Sequence, residues 1–118
     1  MASRIAVVAL WAEDVPTATH FYRDVIGLPL APHHSERPHF DVAGTTLTIL
    51  PGRPIPPEQP APARFPTVAF AVDDLDRAVA RLQARHVELP WGIEADSTSR
   101  WVMFRDPAGN LVELVGFS

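Results

Sequence analysis

The chain has 118 residues, 47% of them hydrophobic, which is the size and composition of one domain with a core of its own. A formal charge of −4, with no stripe of Lys or Arg, leaves out the electrostatic footprint of a nucleic-acid binder. Cysteine is absent, so disulfides, thiolate zinc sites and a cysteine nucleophile are excluded; no apolar run reaches the length of a membrane span, and the N-terminal segment is not shaped like a signal peptide. The expectation is a cytoplasmic protein whose partners are neither nucleic acid nor membrane.

The first element is the apolar run Ile-Ala-Val-Val-Ala-Leu-Trp at residues 5–11, which reads as a buried strand. Residues 15–27 follow with Ala18, Phe21, Tyr22 and Val25 at i, i+3, i+4 and i+7, one face of a helix. Pro16 suits its first turn and Gly27 the left-handed residue that ends it. Residues 39–43 and 45–50 read as strands joined at the Ala43-Gly44 corner. Seven of the 13 prolines fall in residues 51–66, predicting a stiff, extended connector. A second strand-like run spans residues 67–72. Leu75, Ala78, Val79 and Leu82 then repeat the helical spacing. His86 closes that helix, where an imidazolium complements the dipole. Strands are predicted at 100–104 and 111–116, around the turn Asp106-Pro107-Ala108-Gly109-Asn110.

The chain therefore repeats itself. Asp14 corresponds to Asp74, Ala18 to Ala78 and Tyr22 to Leu82, at a constant offset of 60. The predicted fold class is α+β, a single domain over residues 1–118. Two tandem βαβββ modules, about 4–50 and 67–117, flank the connector at 51–66. Each helix covers one face of its sheet, so the two modules are expected to form a curved mixed sheet, a cup with the helices outside. Such cups suit small molecules.

Two segments carry a family resemblance. One is Asp14 with Phe21-Tyr22-Arg23-Asp24-Val25-Ile26-Gly27-Leu28. The other is Trp91-Gly92 with the closing hairpin from Phe104 to Leu114. In order and at this separation they resemble the vicinal-oxygen-chelate superfamily of glyoxalases, bleomycin-resistance proteins and extradiol dioxygenases. The resemblance spans about residues 4–117. It implies the doubled module, but no single function, because the family hosts isomerases, dioxygenases, thiol transferases and non-catalytic drug binders. It also implies a divalent metal that chelates two neighbouring substrate oxygens as a Lewis acid. Its ligand positions map to Val7, Thr48, Thr67 and Glu113. Val7 lies seven residues before Asp14, Thr67 is its counterpart, and Thr48 matches Glu113 through Gly44 and Gly109. Only Glu113 keeps a strong ligand, so no metal and no other cofactor is expected.

Strand alternation assigns Ile5, Val7, Ala9, Trp11, Thr46, Thr48, Leu50, Thr67, Ala69, Ala71, Leu111, Glu113 and Val115 to the cup. Val8, Leu10, Val68, Phe70, Val112 and Leu114 then face the helices. The expected ligand-binding residues are Val7, Ala9, Trp11, Thr48, Thr67, Ala69, Arg100 and Trp101. Glu113 reads as a general base or acceptor with a raised pKa, or as a remnant neutralised by an arginine such as Arg100. His33, His34 and His39 offer an alternative metal site with Glu113, though a solvated loop explains them better. Trp11, Trp91 and Trp101 suit an aromatic wall; for Trp91 and Trp101, ordinary packing or a dimer contact is the stronger reading. No P-loop, nucleotide fingerprint or G-x-S-x-G elbow is present. The expected function is metal-free binding of a small organic molecule, of the bleomycin-resistance-like type, in a homodimer. The alternative is a glyoxalase- or dioxygenase-like enzyme, a lyase, isomerase or oxygenase. It would use Glu113 as base or as ligand of a non-standard metal site. A scaffold with no small ligand is the third reading.

Overall fold

Both helices begin where an aspartate caps them. Asp14 Oδ1 accepts the Thr17 N–H at 3.1 Å, and Asp74 Oδ1 accepts the Arg77 N–H at 3.0 Å. The alignment of Asp14 with Asp74 is thus an alignment of two N-caps, each satisfying a donor that the first helical turn leaves open. The computed structural model describes residues 4–32, 37–54 and 67–117. By backbone contacts the chain divides into two compact units, Met1–Pro54 with Pro107–Gly109, and Ile55–Asp106 with Asn110–Ser118.

The first unit contains β1 (Val7–Ala12), α1 (Val15–His20), β2 (His39–Val42) and β3 (Thr45–Pro51). Its sheet has the order β1-β3-β2, with β1 parallel and β2 antiparallel to the central β3. The predicted helix over 15–27 is present but changes winding. After α1 the chain continues as a π-helical segment, Phe21–Ile26, and Gly27 at φ 86° ends it. The β2–β3 turn places Ala43 at φ 50° and Gly44 at φ 89°. Two left-handed residues in succession are the signature of a two-residue turn that matches strand twist. Leu10, Ala18, Tyr22, Phe40, Leu47 and Ile49 are buried here. Tyr22 meets Phe21 edge-on at 5.5 Å.

The second unit contains β4 (Val68–Ala71), α2 (Leu75–Ala84), β5 (Glu94–Ala95), β6 (Ser99–Arg105) and β7 (Leu111–Phe117). Its order is β4-β7-β6-β5, with β4 parallel and β6 antiparallel to β7. The wiring of the first unit recurs. What differs is the strand after the helix. It is the two-residue β5 in the second unit and a single Leu30–Phe40 bridge in the first. The turn expected at 106–110 closes on itself. Asp106 Oδ1 accepts the Asn110 N–H at 2.8 Å, and the Asp106 N–H reaches the Asn110 carbonyl at 2.9 Å. Leu75, Val79 and Leu82 bury one side of α2. Phe70, Val102, Phe104, Val112 and Leu114 are buried on the sheet.

The two helices also end alike. His86 at φ 60° and Gly27 at φ 86° are the left-handed residues after each. The offset between them is 59 rather than 60. The π-helical turns of the first helix absorb that one extra residue. The connector expected at 51–66 lies, from residue 55 on, outside the described residues; Pro51 is the last residue of β3.

Candidate binding surface on the open sheet faces

Each sheet has a face turned to its helix and a face turned away, here called the open face. Register decides which side chains share one. In the first unit Ala9 stands beside Thr48 and Thr48 beside His39. In the second, Ala69 stands beside Glu113 and Glu113 beside Met103. These rows occupy the same place in the repeated sheets. The equivalence of Thr48 and Glu113 read from Gly44 and Gly109 therefore holds in the backbone.

On β1 the alternation predicted from sequence is present. Leu10 and Ala12 are buried, whereas Val7 (58% exposed), Ala9 and Trp11 (47% exposed) are not. Val7 pairs with Thr46 and Trp11 with Leu50. The Trp11 ring lies over Gly52, where a Cβ would come within 2.7 Å of its Cε3. Thr48 is buried, and its hydroxyl donates to the Pro38 carbonyl at 2.8 Å. His39, the first residue of β2, is exposed next to it. His33 and His34 lie outside the described residues.

In the second unit Thr67 and Ala69 are exposed and Glu113 is half-buried. Met103 and Trp101, both half-buried, flank it from β6, and Trp101 pairs in turn with Glu94 on β5. Burial pushes the Glu113 carboxyl above its ordinary value, and the negative charge of Glu94 pushes it the same way. Among the described residues Glu113 has no hydrogen-bond or ion-pair partner.

Arg100 corrects one expectation. It is not the partner of Glu113. Arg100 is an odd number of residues from Met103 on β6, so it lies on the other face, opposite Gly116. A Cβ on Gly116 would meet Leu75 of α2 at 3.3 Å, which identifies that face as the helix side. There Arg100 forms a bidentate pair with Asp76 of α2, Nη2 to Oδ1 at 2.9 Å and Nη1 to Oδ2 at 3.3 Å. The pair raises the Arg100 pKa and lowers that of Asp76, in each case mainly through the hydrogen bond. Arg100 thus ties helix to sheet, away from the open face on which a ligand residue was expected.

The four family metal positions can be tested against this geometry. Val7 has no ligating atom. Thr48 spends its proton on a buried carbonyl, and a neutral hydroxyl is a poor ligand. Thr67 offers the same weak donor, which leaves Glu113 as the sole anionic ligand. Among the described residues no three His, Cys, Asp or Glu side chains gather as a metal-binding group. This donor set does not fit the divalent ion that the family resemblance implies.

Two contributors to the Glu113 surroundings were not foreseen, Glu94 and Met103. Met103 was legible in principle, because β6 alternates. Glu94 was not, since a two-residue strand leaves no periodic signal and only pairing with β6 brings it to this face.

Comparison with known proteins agrees with the wiring. The sequence pattern of the Glyoxalase/Bleomycin resistance protein/Dioxygenase superfamily matches residues 4–114. The uncharacterized protein YaeR of Escherichia coli (strain K12) is 29% identical over 117 residues, covering 91% of each chain. Lactoylglutathione lyase from Agrobacterium tumefaciens superimposes with a TM-score of 0.75 at 27% identity, over 98% of this chain and 95% of that one. TnmS3, an antibiotic binding protein from Streptomyces sp. CB03234, gives a TM-score of 0.75 at 24% identity, over 99% of this chain and 98% of that one. No helix among the described residues is long and apolar enough to cross a membrane. With the doubled strand order, the paired N-caps and the match over residues 4–114, the chain belongs to the Glyoxalase/Bleomycin resistance protein/Dioxygenase superfamily.

Proposed function

We propose that this protein binds a small organic molecule on the open face of its second sheet without a divalent metal, in the manner of the bleomycin-resistance branch. The observation that carries the reading is Glu113. It is a half-buried carboxylate without a charged partner among the described residues, set between Ala69 and Met103. A carboxylate so placed is poorly solvated and gains from a ligand that donates a hydrogen bond or carries a positive charge. Trp101, Met103 and Ala69 of the same sheet supply contact area, and the single acid supplies orientation. In this reading the protein works as a cytoplasmic homodimer. The fold is shared with an antibiotic binder and with a lyase, so fold alone does not choose between binding and catalysis.

The second reading is a glyoxalase- or dioxygenase-like enzyme, and the raised Glu113 pKa favours it. A carboxyl shifted upward is a better proton acceptor near neutral pH. Elemental analysis of protein purified without chelators separates the two. Less than stoichiometric metal, with calorimetric binding of a cationic aromatic compound that Glu113→Gln weakens, supports the binder. A stoichiometric divalent ion that is lost in Glu113→Ala overturns it.

A further inference from the structure

The first unit carries a cavity on the outer side of its helix, among residues that take no part in the open face. We propose that this cavity is a second small-molecule site, suited to a compact carboxylic acid with an apolar ring. Its volume is about 330 Å³, toward the lower end of small-ligand sites, which span roughly 300–1,000 Å³. Pro16, Thr19, His20 and Arg23 line one side. They follow at i, i+3, i+4 and i+7, the face opposite the buried Ala18, Phe21 and Tyr22.

Leu30 and Pro38 form the other wall. That wall is held in place. Leu30 bridges to Phe40, the Ala31 N–H donates to the His39 carbonyl at 2.8 Å, and the Pro38 carbonyl accepts the Thr48 hydroxyl at 2.8 Å. The two prolines and the leucine therefore offer a preformed apolar surface to a ring.

The polar groups select the other end of the ligand. Thr19 has already given its proton to the Val15 carbonyl at 2.8 Å. Arg23 gives Nε and Nη2 to the carboxylate of Asp24, at 2.7 and 3.1 Å, and its Nη1 takes no part in that pair. The Asp24 contact fixes the plane of the guanidinium, so a further acceptor at Nη1 orders it at lower entropic cost. His20 adds an imidazole beside it. The unspent protons thus belong to Arg23 and His20, and a carboxylate meets them with acceptors alone.

The test is an NMR titration of the full chain with benzoate, benzamide and benzylamine. Saturable benzoate shifts centred on Thr19, His20 and Leu30 are expected, with weaker binding of benzamide and none of benzylamine. Arg23→Gln, an exposed change, is expected to weaken benzoate about tenfold, the worth of one charge-assisted hydrogen bond, and to leave benzamide unaltered. Thr19→Phe fills the cavity and is expected to abolish both. The proposal is overturned by shifts that never saturate, by shifts confined to the Glu113 row, or by equal affinity in Arg23→Gln. Because this cavity shares no residue with the open face, its failure leaves the reading of Glu113 untouched, and the reverse also holds.

Discussion

Adding one methyl group at Gly52 is expected to displace the Trp11 ring, and the cost follows from the geometry. A Cβ there would stand 2.7 Å from Trp11 Cε3, 3.3 Å from Cζ3 and 3.6 Å from Cδ2. Carbon atoms rest at about 3.5–4.0 Å, so the near edge of the ring must retreat by about 1 Å. Trp11 is 47% exposed and has solvent to move into. Gly52 stands at φ 159°, a backbone cost that any side chain there carries; to it the ring adds that of an off-rotamer side chain plus some lost packing, about 1–2 kcal/mol. For a chain of this length that lowers Tm by roughly 4–8 °C. The assay is thermal unfolding of a double-mutant cycle. Gly52→Ala is measured alone and in a Trp11→Ala background, where the methyl group has nothing to strike. Loss of the ring's share of the Gly52→Ala penalty in that background, with the backbone share remaining, is the expected result. An unchanged penalty would refute the reasoning, because it would place the whole cost in the backbone.

Two further predictions concern stability. Burial and Glu94 raise the Glu113 pKa in the folded state, so its contribution is fully present below the ordinary carboxylate value. That contribution is lost as pH rises through the raised value. Glu113→Gln should therefore gain stability over wild type as pH rises above about 4, read as denaturant midpoints; a pH-independent difference contradicts the assignment. His86 holds φ 60° without being glycine. His86→Gly is expected to stabilise the protein by about 1 kcal/mol, and an unchanged or lower Tm counts against strain at that residue.

Local signals made the repeat readable. Helical spacing, the two capping aspartates and the Asp106–Asn110 turn act within a few residues. Sequence therefore reports them directly, and the offset of 60 exposes both modules and the row that Thr48 and Glu113 share. Register is another matter. Sequence offers Arg100 as one arginine that could neutralise Glu113, but which face of β6 it takes depends on how β6 pairs with β7. A shift of one residue carries a side chain to the opposite face. The change of winding at Phe21 escaped for a similar reason. One extra residue leaves the apolar spacing nearly intact, and the difference emerges only when Gly27 and His86 are seen ending equivalent helices. The sequence alone thus determined the doubled fold and three of the four family metal positions without a strong ligand, because backbone patterning and donor chemistry are local properties. Tertiary structure alone decided that Thr48 spends its hydroxyl on Pro38, that Arg100 belongs to Asp76 and that Glu94 bears on Glu113, because strand pairing and burial join residues that no local pattern connects.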